Sequence, residues 1–115
     1  MNILFIGDIY GSLGRTTVKK YLSKIKQEYK INFVIANGEN AAHGRGITEA
    51  IYKELLEEGI QVLTMGNHTF DNRDIFNFIA DAKNLLRPAN MDESVPGKGY
   101  EIFSYNEHKQ RPRKF

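Results

Sequence analysis

The chain is 115 residues long, with 41% hydrophobic and 26% charged residues, which gives room for one globular domain with a real core but not two, and excludes disorder as the default state. Its net charge of +2 is set by the end of the sequence: Lys109 to Phe115 carry four positive charges and no acid, so +2 less those four leaves the preceding body at −2, and no nucleic-acid surface is inferred from the basic balance. The absence of cysteine removes disulfides and thiolate metal sites; the apolar run after Met1 reaches Asp8 too soon for a secretory core or a membrane span, and no later run is longer, so a cytoplasmic protein without a membrane partner is expected.

Residues 2–7 read as a first strand, continuously apolar in the manner of strands covered on both faces. Gly11 and Gly14 predict a loop, and a helix is expected from about Arg15 to Tyr29, with Val18, Leu22, Ile25 and Tyr29 on one face and Lys19, Lys20, Lys24 and Lys26 turned to water. Ile31 to Ala36 reads as a second strand. After a loop bearing Gly38, Gly44 and Gly46, Thr48 is placed to cap a helix running to Glu58, with Ile47 and Tyr52 at staple positions and Gly59 at the left-handed terminus.

Residues 61–65 form the third expected strand, and Asp71, with Asp74 three residues on, is expected to cap a helix to about Ala80 that buries Ile75, Phe78 and Ile79. Leu85-Leu86-Arg87 reads as a short strand stopped by Pro88. Pro96 to Gly99 reads as a turn, leading into a period-two run from Tyr100 to Tyr105 that would pair antiparallel or begin a second sheet. The alternation of strand and helix predicts parallel strands joined by right-handed crossovers. The domain is drawn at 1–107, with 108–115 a basic, uncommitted tail; no repeat or low-complexity segment is present.

Ligands in open α/β sheets collect at the carboxyl ends of strands. Three such ends carry polar groups here: Gly7-Asp8, Gly38-Glu39-Asn40 and Gly66-Asn67-His68. Asp8, Glu39, Asn67 and His68 are donors suited to Mn, Fe, Zn or Mg, and a carboxylate able to bridge, as Glu39 is, fits a two-metal site. An Asp after a strand is ordinarily a turn or cap residue and a Gly-Asn-His a plain loop; the coincidence of three tips on successive strands is what points to a site.

These motifs resemble the calcineurin-like metallophosphoesterase superfamily. Ile6-Gly7-Asp8-Ile9, Ala36 to Ala42 (Ala-Asn-Gly-Glu-Asn-Ala-Ala), Met65 to Thr69 (Met-Gly-Asn-His-Thr), Arg87-Pro88-Ala89-Asn90 and Pro96 to Tyr100 resemble its bacterial YmdB-type branch, over about residues 1–107. The resemblance implies an α/β fold, the N-terminal half of an αββα sandwich with a mostly parallel sheet and flanking helices. It implies a dinuclear phosphodiesterase acting on cyclic nucleotides, both 2′,3′- and 3′,5′-cyclic monophosphates, or on another small phosphodiester. By position, Asp8 would ligate the first metal, Glu39 would bridge, Asn67 would ligate the second, Asn40 would hold the bridging hydroxide or a phosphate oxygen, and His68 would be the catalytic imidazole. The two ions would be Fe, Mn, Mg or Zn.

The chain departs from that pattern. The wider superfamily has Asp-x-His at the first motif where Asp8-Ile9-Tyr10 stands here, but its YmdB-type branch also lacks that histidine; His43 occupies a loop position where the branch tends to have glycine and is expected at the surface, as is His108. The family completes its site with histidines from a second half of the fold, and the switch to Lys109–Phe115 predicts a chain cut short before them, with weak metal binding and little catalysis. Competing expectations are a non-catalytic phosphate-binding domain using Gly7, Gly11, Gly14 and Arg15 at a helix start; an inert remnant whose uncovered sheet face makes it dimeric or aggregation-prone; and, last, a nucleic-acid binder through the tail.

Overall fold

The computed structural model describes residues 1–105. Its four strands, β1 (Ile3–Ile6), β2 (Phe33–Asn37), β3 (Val62–Thr64) and β4 (Leu85–Leu86), are all parallel and lie in sequence order. Parallel neighbours need a crossover rather than a hairpin. Helix α1 (Gly11–Glu28) makes the first, α2 (Glu49–Glu57) the second, and two short 3-10 turns, Arg73–Asn77 and Ile79–Asp81, the third. The expected α/β class is the observed one.

Side chains alternate across a strand, and here one set enters the core. Leu4, Ile6, Val34, Ala36, Leu63 and Leu85 join Val18 and Leu22 of α1 and Ile51, Tyr52 and Leu55 of α2 in a single apolar cluster. The opposite set is less covered: Ile3 and Phe5 are 58% and 59% exposed. The expectation that β1 is covered on both faces is therefore corrected. Strand β1 is an edge strand, and the core built by the described residues uses only one face of it.

Helix α1 begins at Gly11 rather than Arg15, so Gly11 and Gly14 belong to its first turn and not to a loop. Gly11 takes φ +60° there, and Gly14 packs tightly against the preceding loop, a Cβ on it standing 3.2 Å from the carbonyl carbon and Cγ2 of Ile9. At the far end Tyr29 is the exposed capping residue and not part of the buried face. In α2 the expectation holds: Thr48 Oγ1 accepts from the Ile51 N–H at 3.2 Å, Gly59 takes φ +118°, and Ile47 and Tyr52 are buried.

The helix expected after Asp71 is replaced by the two 3-10 turns. Its cap is Asn72, whose side chain accepts from the Asp74 N–H at 3.0 Å. Ile75, Phe78 and Ile79 are buried as expected, and the threefold repeat of a 3-10 turn aligns Ile75 with Phe78, so that burial does not require an α-helix. The run from Tyr100 to Tyr105 forms no strand among the described residues. A single parallel bridge joins Leu86 to Lys98, and the alternation of the run serves side-chain packing instead: Phe103 tilts against Phe33 at 6.4 Å and the Tyr105 hydroxyl accepts from Asn32 Nδ2 at 3.5 Å. The basic tail and His108 lie outside the described residues.

Asp74 ties the third crossover to α2, accepting from the Glu49 N–H at 2.8 Å and from Asn77 Nδ2 at 3.1 Å. These bonds, the Glu49 amide first, hold its carboxyl below the ordinary 3.8. A depressed carboxyl stabilises the fold above its unfolded value and loses that contribution as pH falls through the lower folded value. Asp74→Ala is expected to lower the urea midpoint at neutral pH and to shrink the difference from the parent below about pH 3.8, as urea titrations across that range would measure.

Candidate active site at the strand tips

Backbone pairing continues past the strands and fixes the loops beside one another. The Ile9 N–H donates to Asn37 O at 3.1 Å, Gly38 N–H to Thr64 O at 2.9 Å and Met65 N–H to Leu86 O at 2.9 Å. Gly11 N–H at the start of α1 donates to Asn40 O at 2.9 Å. Asp8, Glu39-Asn40 and Asn67-His68 thus leave the sheet from adjacent tips.

Between the first two tips, Asn40 Nδ2 donates to Asp8 Oδ1 at 2.9 Å. This pins the amide, because a carboxylate oxygen demands a donor, and leaves Asn40 Oδ1 buried with no hydrogen-bond partner. Between the second and third tips the joining group is Glu39. Its Oε1 accepts from Asn37 Nδ2 at 3.3 Å and its Oε2 from the His68 N–H at 3.3 Å, while Asn37 Oδ1 accepts from the Glu39 N–H at 3.1 Å. The carboxylate lies over Gly66, where a Cβ would overlap Glu39 Oε1. Only glycine leaves that cradle open. Asn67 is exposed in the same loop.

The His68 ring is half-buried, with Nδ1 at 2.6 Å from Asp71 Oδ2, and Arg45 Nε lies 3.8 Å from that oxygen. Next along the chain, buried Thr69 turns its N–H and its hydroxyl onto Gly66 O. The structure therefore brings Asp8 to Asn40 and Glu39 to the His68 backbone. Asn37, Arg45 and Asp71 were missed as members of this site. Asp71 had a readable signal in its spacing of three from His68; Arg45 had none, since loop folding alone brings it near. His43 is exposed as expected and takes φ +50°, a left-handed backbone that explains why glycine suits the position.

Two observations fit a bound cation: the unpartnered buried acceptor of Asn40, and a carboxylate held over a bare glycine between adjacent tips. The donor set is oxygen-rich, as hard cations prefer. It is also incomplete, for among the described residues no three His, Cys, Asp or Glu side chains gather closely enough to hold a metal ion.

A parallel α/β sheet with polar residues converging at its carboxyl edge is the architecture of a ligand-handling domain. The chain matches the family described as YmdB-like protein over residues 4–111, and it belongs to that family. It is 59% identical over 106 residues to a 2′,3′-cyclic-nucleotide 2′-phosphodiesterase of Bacillus subtilis, a match covering 92% of this chain and 40% of that one. Two crystal structures superpose with a TM-score of 0.82: a novel phosphatase from Mycoplasma pneumoniae, 39% identical over 91% of this chain and 39% of that one, and a hypothetical protein from Thermus thermophilus, 36% identical over 90% and 40%. The chain spans about 40% of the length of the relatives it matches.

Two glycines separate site geometry from folding. Gly66→Ala is expected to change the urea midpoint little, since the group displaced is the mobile end of Glu39, yet to shift the His68 amide resonance as its bond to Oε2 is lost. Gly46→Ala meets the Asn72 backbone nitrogen at 2.9 Å with φ +70°, and is expected to cost about 1–3 kcal/mol in the same titration.

Proposed function

We propose that the site serves metal-dependent hydrolysis of a small phosphodiester, of which a 2′,3′-cyclic nucleotide is the first candidate and a 3′,5′-cyclic nucleotide the second. The observation that carries this reading is the joining of Asp8 to Asn40 and of Glu39 to the His68 loop at three adjacent tips, in a chain 59% identical to a named phosphodiesterase. On this reading the domain is of the calcineurin-like metallophosphoesterase type, and the short apolar runs and lack of cysteine suit a cytoplasmic setting.

Asp8, Glu39 and Asn67 are the residues that would hold two ions, of Fe, Mn, Mg or Zn, with Glu39 between them. Such ions, when bound, neutralise phosphate charge and lower the pKa of water towards about 7. The chain's own groups supply the rest. Asn40, pinned by Asp8 through one Nδ2–H, would offer its Oδ1 to a water or an ion and its second Nδ2–H to a phosphate oxygen. His68 would give a proton to the leaving oxygen. With so few carboxylates and imidazoles gathered, weak ion binding and low turnover are part of the proposal.

The phosphate-binding alternative loses its principal group, because Arg15 is committed to Ala41 O at 3.0 Å and to Glu54 at 3.7 Å. No helix among the described residues is long and apolar enough to cross a membrane. Metal analysis and hydrolysis of a chromogenic phosphodiester test the proposal, with Asn67→Ala as comparison. Bound metal and rate are expected to fall together, the rate by roughly tenfold or more; equal rates in the two proteins would remove the site.

A further inference from the structure

Tyr10 holds the N-cap position of α1 yet makes no side-chain capping bond, where Ser, Thr, Asp or Asn would. Its ring is 64% exposed and packs on no other aromatic ring among the described residues. Neither the helix nor the core accounts for a tyrosine here. The ring is nevertheless held in place. Backbone bonds bracket it, from the Ile9 N–H to Asn37 O at 3.1 Å and from the Gly11 N–H to Asn40 O at 2.9 Å, so it rides on the seam between the first two tips.

The hydroxyl end of the ring lies against Gly44, where a Cβ would stand 2.7 Å from the hydroxyl oxygen and 2.8 Å from Cζ. Gly44 also takes φ +85°, so backbone and ring both call for glycine at that point. Asp8, which accepts from Asn40, comes two residues before Tyr10, and two residues span at most about 7 Å of backbone. An oriented and largely open aromatic surface thus stands within a nucleotide's length of the Asp8–Asn40 pair. The other rings that follow a tip, Phe70 and Phe76, are stacked on each other at 5.3 Å, and Phe70 packs on the core.

We propose that Tyr10 is the platform on which the nucleobase of a cyclic nucleotide stacks, and so the residue by which this site distinguishes a nucleotide from a phosphodiester that lacks a base. The placing of the phosphate rests on the phosphodiesterase reading; the stacking of a base on the ring does not. Every base has a π-face, so such a platform senses the presence and size of a base rather than its hydrogen-bonding pattern.

The test uses the full chain with magnesium, carbon–proton NMR of its tyrosine rings, and two probes: adenosine 3′-monophosphate and ribose 3-phosphate, which lacks the base. The Tyr10 signals are identified by their loss in Tyr10→Phe. The adenosine probe is expected to move them upfield, and ribose phosphate to leave them in place. Tyr10→Ala is expected to weaken binding of the adenosine probe roughly fivefold to a hundredfold, Tyr10→Phe by less than about twofold, and Phe76→Ala not at all. An unmoved Tyr10 ring, or equal affinity in the parent and Tyr10→Ala, overturns the proposal. So does a loss of binding confined to Phe76→Ala. In steady-state assays Tyr10→Ala is expected to raise KM for 2′,3′-cyclic AMP but not for glycerol 1,2-cyclic phosphate. An equal loss with both substrates would make Tyr10 a structural residue only and overturn the proposal. A parent that moves its Tyr10 ring but turns over neither substrate would count against the phosphodiesterase reading and leave the platform standing.

Discussion

The structure depends on a ladder that does not stop where the strands do. In a parallel sheet the bonds are evenly spaced and slanted, so one register serves the whole pair. Here that register runs on through Ile9 to Asn37, Gly38 to Thr64 and Met65 to Leu86. A strand of three residues, β3, would carry little authority alone. Paired on both sides and extended by its loop, it presents Gly66-Asn67-His68 at a defined height beside Glu39. Side-chain amides finish the other end: Gln61 Oε1 accepts from Val34 N–H at 2.7 Å, and Asn84 Nδ2 donates to Gln61 O at 2.8 Å. Short strands are tolerated because polar residues at both ends continue their pairing.

The strand tips were legible in the sequence because a buried apolar run ending in glycine and a polar residue has few other meanings. Thr48 and Gly59 bracketed α2 for equally local reasons. What was missed depended on contacts that sequence spacing does not encode. Gly14 reads as a loop residue until the Ile9 backbone is seen 3.2 Å from where its Cβ would be. The run from Asp71 to Ala80 reads as an α-helix because Ile75, Phe78 and Ile79 stand at i, i+3 and i+4; Phe78, at φ −138° and ψ −11°, separates the two 3-10 turns. Tyr100 to Tyr105 alternates as a strand does, yet its half-buried Phe103 and Tyr105 meet side chains at the start of β2, not a backbone edge.

The same logic explains why β1 was misjudged. A continuous run of apolar residues is the usual mark of a strand covered on both faces. Leu4 and Ile6 are indeed packed against the core, and Ile3 and Phe5 are as apolar but exposed. Register sets their neighbours: Ile3 stands beside Phe33 and Phe5 beside Ile35, each on the side away from α1 and α2. Composition reported the character of the strand correctly. It was silent on how much of that character the described residues use.

The two halves of the site are stabilised in different ways, and this bears on how each responds to change. The Asp8–Asn40 and Glu39–His68 contacts span 32 and 29 residues of sequence and exist only while the ladder holds the tips level. The His68–Asp71 pair spans three residues, closed by a backbone bond of its own. The carboxylates and amides therefore depend on the register of the sheet, whereas the imidazole and its partner are joined locally. Glu39 is the hinge between these regimes: one carboxylate oxygen faces Asn37 on its own strand, and the other reaches across to the third tip. With Gly66 bare beneath it, that side chain lies close against the neighbouring tip, which is why a residue with no side chain is as much a part of the site as the groups that carry charge.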